Sequence, residues 1–155
     1  MSGGLTHDPA EFAVESIRRW WPRMGRRAYP EAREVLITAD GGGSNGSQVR
    51  LWKTALHKLA QELEMPLPVR HFPPGTSQWN KIEHRMFCHG TKNWRAQLLL
   101  DYVPIIKLIS HSGTSSGLSI QAEIDSAFYE TGKEVSDEAF AAINIQRCDF
   151  HGDWN

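Results

Sequence analysis

Cysteine, long apolar runs and net charge are all scarce in this sequence. The two cysteines, Cys88 and Cys148, stand alone with no CxxC pair, which argues against a disulfide framework and a zinc ribbon and indicates a reducing compartment. The longest mainly apolar stretch, 98–109, is interrupted by two charged residues and a proline, so no membrane span is predicted. The N-terminus has no basic region followed by an apolar core, so no signal peptide is predicted and the cytoplasm is the expected location.

The overall charge is close to neutral. With a formal net charge of −1, any contact with nucleic acid has to come from local basic patches rather than from a general positive field. The chain is 40% hydrophobic and contains six tryptophans, which is enough apolar material for a folded core. The 155 residues are therefore expected to form one domain.

The first forty residues predict a helix, a loop and a strand. Apolar residues recur at helical spacing across Pro9–Trp21 and predict one amphipathic helix. Pro22 and Gly25 then indicate a loop. Val35–Ala39 is a short apolar run that ends at Asp40, the pattern of a strand buried on both faces.

Further elements follow in alternation. A helix is predicted for Ser47–Glu64 and a strand for Leu67–Phe72. Helices are also predicted for Trp79–Phe87 and Tyr102–Ser110, and a short one from Ser136. Strands that alternate with helices predict an α/β fold with a parallel sheet.

Asp40 is the first candidate functional residue. It stands where a strand ends and a glycine-rich turn, Gly41–Gly46, begins, and ligands of open α/β sheets bind at the carboxyl ends of strands. An Asp-Gly pair is equally typical of a plain turn, so a structural role stays open. The glycine-rich turn has no Gly-Lys-Ser/Thr, which makes a phosphate-binding loop, and with it a small nucleotide-binding enzyme, a weak alternative.

Glu83 is the second candidate. It follows a rigid proline turn and lies beside the apolar stripe of its predicted helix. Together with Asp40 it would supply the oxygen ligands that Mg²⁺ prefers, and two such ions can act on a phosphodiester. His71 and His84 lack HxxxH or HExxH spacing, so a histidine zinc site is not expected.

Basic and aromatic residues cluster near the end of the first helix. Arg18-Arg19-Trp20-Trp21 is followed by Arg23, Arg26 and Arg27. Arginine neutralises phosphates and tryptophan stacks on bases, so a DNA-contact surface is one interpretation. The other is the polar outer face of an amphipathic helix, and both stay open.

Two motifs resemble a known family. The first is Ile37–Gly46, ITADGGGSNG, and the second is Phe72–His84, FPPGTSQWNKIEH. Together they closely resemble the DDE transposases of bacterial insertion sequences, specifically the Rhodopirellula-type family related to the mariner-like transposases.

The resemblance implies an RNase H-like fold and a metal-dependent DNA cleavage and strand-transfer activity. Asp40 and Glu83 would be the second and third acids of the catalytic triad and would bind Mg²⁺ or Mn²⁺. The expected partners are the element ends and target DNA, with a homo-oligomer left open. The residues expected to contact DNA are Asn45, Lys81, His84 and Arg85.

The resemblance also leads us to expect an incomplete catalytic domain. In the family the first acid lies on the first strand, upstream of the helix that begins near Pro9, and only Asp8 is acidic among the residues before it. We therefore expect residues 1–155 to be the C-terminal part of the domain, without its first strands and without a separate DNA-reading domain. Two hypotheses follow: a transposase represented by a truncated copy, or an inactive remnant that only binds DNA or self-associates.

Overall fold

The structure is a computed structural model that describes residues 9–73, 75–76 and 123–147. Its contacts divide the chain into two compact units, Met1–Ser77 with Phe128–Asn155, and Gln78–Ala127. All of the elements below belong to the first unit. The predicted helices Trp79–Phe87 and Tyr102–Ser110 lie outside the described residues.

The described part of the chain begins with an α-helix that continues into a π-helical turn. Helix α1, Pro9–Trp20, buries Ala10 and Val14 and confirms the predicted amphipathic helix. The loop predicted at Pro22 is wrong, because Trp21–Gly25 forms a π-helical turn and helix α2, Arg26–Ala28, continues from it. The wider turn accommodates a proline that has no N–H to donate to a regular α-helical ladder.

Two strands form a parallel sheet around a helical crossover. Strand β1, Ile37–Asp40, pairs with strand β2, Val69–Phe72, in a register that sets Asp40 opposite Phe72. A short 3-10 turn, Gly43–Asn45, and helix α3, Arg50–Leu63, connect the strands. This βαβ unit agrees with the predicted α/β class and with the predicted parallel pairing.

Among the described residues strand β1 is covered on one face rather than two, which differs from the prediction of a doubly buried strand. Ile37 and Ala39 are half-buried, whereas Thr38 and Asp40 are exposed. Within the described residues, α1 and α3 both pack on the same side, where Ile37 and Val69 meet the core. A strand with one covered face alternates between buried and exposed side chains.

Helix α3 supplies the centre of the core. Trp52, Leu56 and Leu59 are buried and pack against Ala10 and Val14 of α1, so the predicted helix is confirmed. The helix begins at Arg50 rather than at Ser47 and has no side-chain cap at its N-terminus. It ends at Leu63, and the N–H of the next residue, Glu64, bonds the carbonyls of Ala60 and Gln61. The left-handed backbone of Glu64, with φ of 52°, then brings the Met65 N–H to the Ala60 carbonyl at 3.1 Å in the manner of a helix stop.

A C-terminal segment folds back onto these helices. Helix α4, Asp137–Ala141, is capped by Ser136, whose hydroxyl accepts the N–H of Ala139 at 3.2 Å, and it confirms the short helix predicted there. Arg50 on α3 donates to Asp137 at 2.5 Å and lies over the Phe140 ring. The segment is thereby attached to a helix far away in the sequence.

No helix in the described ranges is both long and apolar enough to cross a membrane.

That the first strands of the sheet are missing stays a prediction.

Candidate functional site

Asp40 is the last residue of β1, and its side chain is exposed at the carboxyl end of the strand. Phe72, the last residue of β2, is its register partner. Because the strands are parallel, both end at the same edge of the sheet. The glycine-rich half of the first motif and the start of the second motif therefore lie side by side.

The glycine-rich turn after Asp40 is compact. A side chain at Gly41 would bring its Cβ within 3.1 Å of the Phe72 carbonyl oxygen, and Gly43 has a φ of +69°. Gly46 is buried and donates its N–H to the Gly43 carbonyl at 3.3 Å. Glycines at these places let the backbone turn tightly beside β2 and leave the Asp40 carboxylate uncovered by neighbouring side chains of the turn.

His71 ties β2 to this turn. Its Nε2 lies 2.9 Å from the carbonyl oxygen of Asn45. A carbonyl only accepts hydrogen bonds, so Nε2 must carry the hydrogen and act as the donor. In this arrangement Nε2 has no lone pair to offer a metal ion.

Asn45 lies half-buried in the 3-10 turn, within hydrogen-bonding range of its neighbour. The Ser44 hydroxyl donates to its Oδ1 at 3.5 Å, at the long limit for such a bond. Its backbone carbonyl accepts the hydrogen bond from His71. The prediction that Asn45 contacts DNA stays a prediction.

The second motif leaves β2 through a tight turn. Thr76 donates its N–H to the Pro73 carbonyl at 3.2 Å, and its hydroxyl donates to the same oxygen at 2.5 Å. Gly75 has a φ of +77°, the left-handed conformation that such a turn requires. The other predicted site residues, Glu83, Lys81, His84 and Arg85, lie outside the described residues.

Asp40 is the one predicted metal ligand whose position is described. Across 9–73, 75–76 and 123–147, no group of three or more His, Cys, Asp and Glu side chains comes together. A single exposed carboxylate suits a hard cation that keeps several water ligands, as Mg²⁺ does. Among the described residues, Asp40 could thus serve as one ligand of such a site.

Arg18 and Arg19 are engaged in ion pairs rather than presented to a partner. Arg18 donates to Glu62 on α3 at 2.6 Å and also pairs with Glu15, and Arg19 donates to Glu15 at 2.8 Å. The hydrogen bond that Arg18 donates to Glu62 is the main reason that the pKa of Arg18 is raised. These two arginines fit the helix-face interpretation, since Arg18 joins α1 to α3 and Arg19 pairs within α1.

Burial raises the pKa of Glu15, but the hydrogen bonds and charges of Arg19 and Arg18 outweigh it and lower the pKa overall. The carboxylate is thus stabilised in its charged form by two guanidinium groups.

Sequence reasoning missed the contact between His71 and Asn45, which are 26 positions apart. The available signal was strand periodicity. His71 stands two positions after the inward-facing Val69, and side chains two positions apart lie on the same face of a strand. His71 therefore lies on the covered face of the sheet, where a polar side chain needs a hydrogen-bond partner.

Comparison with known proteins gives one family. A family model described as the Rhodopirellula transposase DDE domain matches residues 1–155. No curated protein and no solved structure matches the chain.

Proposed function

The chain belongs to the Rhodopirellula transposase DDE domain family, and on that premise we propose that it forms part of a metal-dependent site for DNA cleavage and strand transfer. The family implies an RNase H-like fold and DNA as the partner. The observation that best supports the proposal is the parallel register of Asp40 with Phe72. It brings the end of β1, where the ITADGGG motif passes from strand to turn, beside the end of β2, where the FPPGTSQWNKIEH motif begins, at the edge of the sheet where ligands of α/β folds bind.

Asp40 is the proposed metal ligand on β1, and Glu83 is the proposed ligand contributed by the second motif. Carboxylates from two different elements provide the oxygen ligands of a Mg²⁺ or Mn²⁺ site. A divalent ion held there would polarise the phosphodiester and favour deprotonation of the attacking water or 3′-hydroxyl.

The residues around the proposed ligand orient it and give DNA access. Because Gly41 has no side chain, the backbone after Asp40 can run close to the Phe72 carbonyl. The sheet therefore fixes the backbone at Asp40 and with it the direction of its side chain. The small side chains of the turn allow a phosphate backbone to approach the carboxylate. Asn45, Lys81, His84 and Arg85 are proposed to contact that DNA, because arginine and lysine neutralise phosphates and amide and imidazole groups can hydrogen-bond to them.

The first experiment measures metal binding by the whole chain. Mn²⁺ should broaden the amide NMR signals of Gly41 and Gly42 most strongly, because its unpaired electrons relax nearby nuclei. Asp40→Asn should abolish this broadening. Asp137→Asn, which changes an exposed aspartate on α4, should leave it intact. Equal broadening in the wild-type chain and Asp40→Asn would refute a metal site at Asp40.

The second experiment measures chemistry. Mg²⁺-dependent cleavage of DNA that carries the element ends should fall about a thousandfold or more in Asp40→Asn and in Glu83→Gln, because each change removes several kcal/mol of transition-state stabilisation. Cleavage that persists in Asp40→Asn would contradict the proposed role. Metal binding without cleavage would favour the alternative of an inactive remnant.

A further inference from the structure

An open aromatic groove lies at the end of the first helix, in the part of the molecule that the proposed catalytic chemistry does not use. Its volume is about 460 Å³, within the range of small-molecule sites. Trp20 and Tyr29 are 38% and 63% exposed and Leu36 is 59% exposed. The residues that give the groove its apolar surface are Trp20, Trp21, Tyr29, Pro30, Val35 and Leu36.

The backbone builds the aromatic wall of this groove. The π-helical turn Trp21–Gly25 joins two α-helical segments, and such turns are frequent at functional sites. A Cβ at Gly25 would lie 2.5 Å from Cε3 of Trp21 and 2.9 Å from the ring of Trp20. The two indoles, with centroids 5.9 Å apart, can therefore close over this position only because it is glycine. Tyr29 follows one turn later, with its N–H bonded to the Gly25 carbonyl at 2.8 Å.

The segment that forms the groove carries charges of both signs, basic on α2 and acidic in the groove lining, and they favour different parts of a nucleic acid. Arg26 and Arg27 are exposed on α2, and no described acidic side chain pairs with either of them. They differ in this from Arg18, which is held by Glu15 and Glu62. Free guanidinium groups bind phosphates.

Two acids, Glu31 and Glu34, line the groove itself. Carboxylates repel phosphates but accept hydrogen bonds from the amino groups of nucleobases. The groove therefore suits a base better than a backbone phosphate, while the arginines of α2 suit the backbone.

We propose that this groove binds an unpaired nucleobase of single-stranded DNA, which stacks on Trp20 and Tyr29 while Arg26 and Arg27 contact the adjacent phosphates. Exposed aromatic rings beside basic side chains are the means by which proteins hold single strands. A base inside an intact duplex cannot enter such a groove, because its faces are stacked on its neighbours. The proposal rests on the proposed function, which makes DNA the partner, and adds the place and the strand form that are bound.

The test uses the full chain, without metal, and a fluorescent single-stranded oligonucleotide of about 15 nucleotides, long enough to span one such site. Its anisotropy is compared with that of the duplex of the same sequence. Trp20→Ala and Tyr29→Ala should each weaken single-strand binding about tenfold, since one stacked base is lost, and should change duplex binding little. Phe128→Ala, which removes an exposed aromatic ring elsewhere, is the matched control and should have no effect.

Tyr29→Ala keeps the test decisive if Trp20→Ala disturbs folding, because Tyr29 is the more exposed of the two. The arginines have a separate readout. Replacing both Arg26 and Arg27 with glutamine should reduce the salt dependence of single-strand binding by about 1.4 in the log–log slope, from two phosphate contacts. Arg147→Gln, at an exposed arginine near the C-terminus, should leave the slope unchanged.

Three results would overturn the proposal: no binding of the single strand by the wild-type chain, aromatic variants that match Phe128→Ala, or an equal loss of duplex binding. None of them bears on metal binding at Asp40, so the proposed function is judged separately.

Discussion

Replacing His71 by leucine deletes the hydrogen bond between β2 and the glycine-rich turn. The imidazole Nε2 donates to the Asn45 carbonyl at 2.9 Å, and this bond closes the turn that begins directly after Asp40. We expect the leucine variant to open the turn more often and to bind metal more weakly. His71→Gln is the matched control, because the glutamine amide nitrogen reaches about as far as Nε2 and can donate to the same carbonyl.

The size of the effect follows from the bond and its surroundings. A neutral hydrogen bond contributes about 0.5–1.5 kcal/mol net. Both partners are half-buried, so water reaches the freed carbonyl in part and a value of about 1 kcal/mol is appropriate. That value corresponds to about a fivefold larger population of the open turn.

Amide hydrogen exchange measures this opening directly. The N–H groups of Gly46 and Val49 are bonded to the Gly43 and Gly46 carbonyls at 3.3 Å and 3.0 Å, so they exchange when the turn opens. We expect about fivefold faster exchange in His71→Leu and near wild-type exchange in His71→Gln, since a local opening sets the exchange rate. Mn²⁺ affinity at Asp40 should fall in the same order.

Two results would refute this reasoning. If Gly46 and Val49 exchange at the wild-type rate in His71→Leu, the bond does not hold the turn. If His71→Gln exchanges as fast as His71→Leu, the ring matters through its shape and packing rather than through its donor.

Two further predictions concern the helices. Gly25→Ala should lower the free energy of unfolding, measured with urea, by about 1–3 kcal/mol, because the new methyl group overlaps the Trp21 ring. Gly42→Ala is the control and should cost much less, since there is open space around Gly42. Equal costs would contradict the packing described. Burial raises the pKa of Glu15, but the Arg19 hydrogen bond and the neighbouring charges lower it overall from 4.5. Its stabilisation is therefore present above pH 4.5 and lost as the pH falls through the lowered pKa. Glu15→Gln should remove that loss and cost about 0.5 kcal/mol at neutral pH; an unchanged profile of stability against pH would show that the pair contributes nothing.

Local pattern was sufficient for much of the fold. Apolar spacing predicted α1, α3 and the two strands, because each of these elements must direct one apolar face toward a core. It also placed Asp40 at a strand end, since a charged residue before several glycines is a reliable end to an apolar run.

The same local reasoning failed where a neighbour decided the outcome. Pro22 and Gly25 are typical of loops, yet they form a π-helical turn because the indoles of Trp20 and Trp21 pack over the glycine. The apolar residues of β1 suggested two covered faces, but the described helices pack on only one of them.

The sequence by itself determined the family motifs, the main helices and the parallel strand pair. Only the tertiary structure decided which polar groups meet. His71 reaches Asn45 across 26 positions, Arg50 reaches Asp137 across 87 and Lys133 reaches Glu11 across 122. Such contacts leave no periodic trace, because they depend on how separate elements pack and not on the spacing of residues within one element. One such contact joins the turn beside Asp40 to β2.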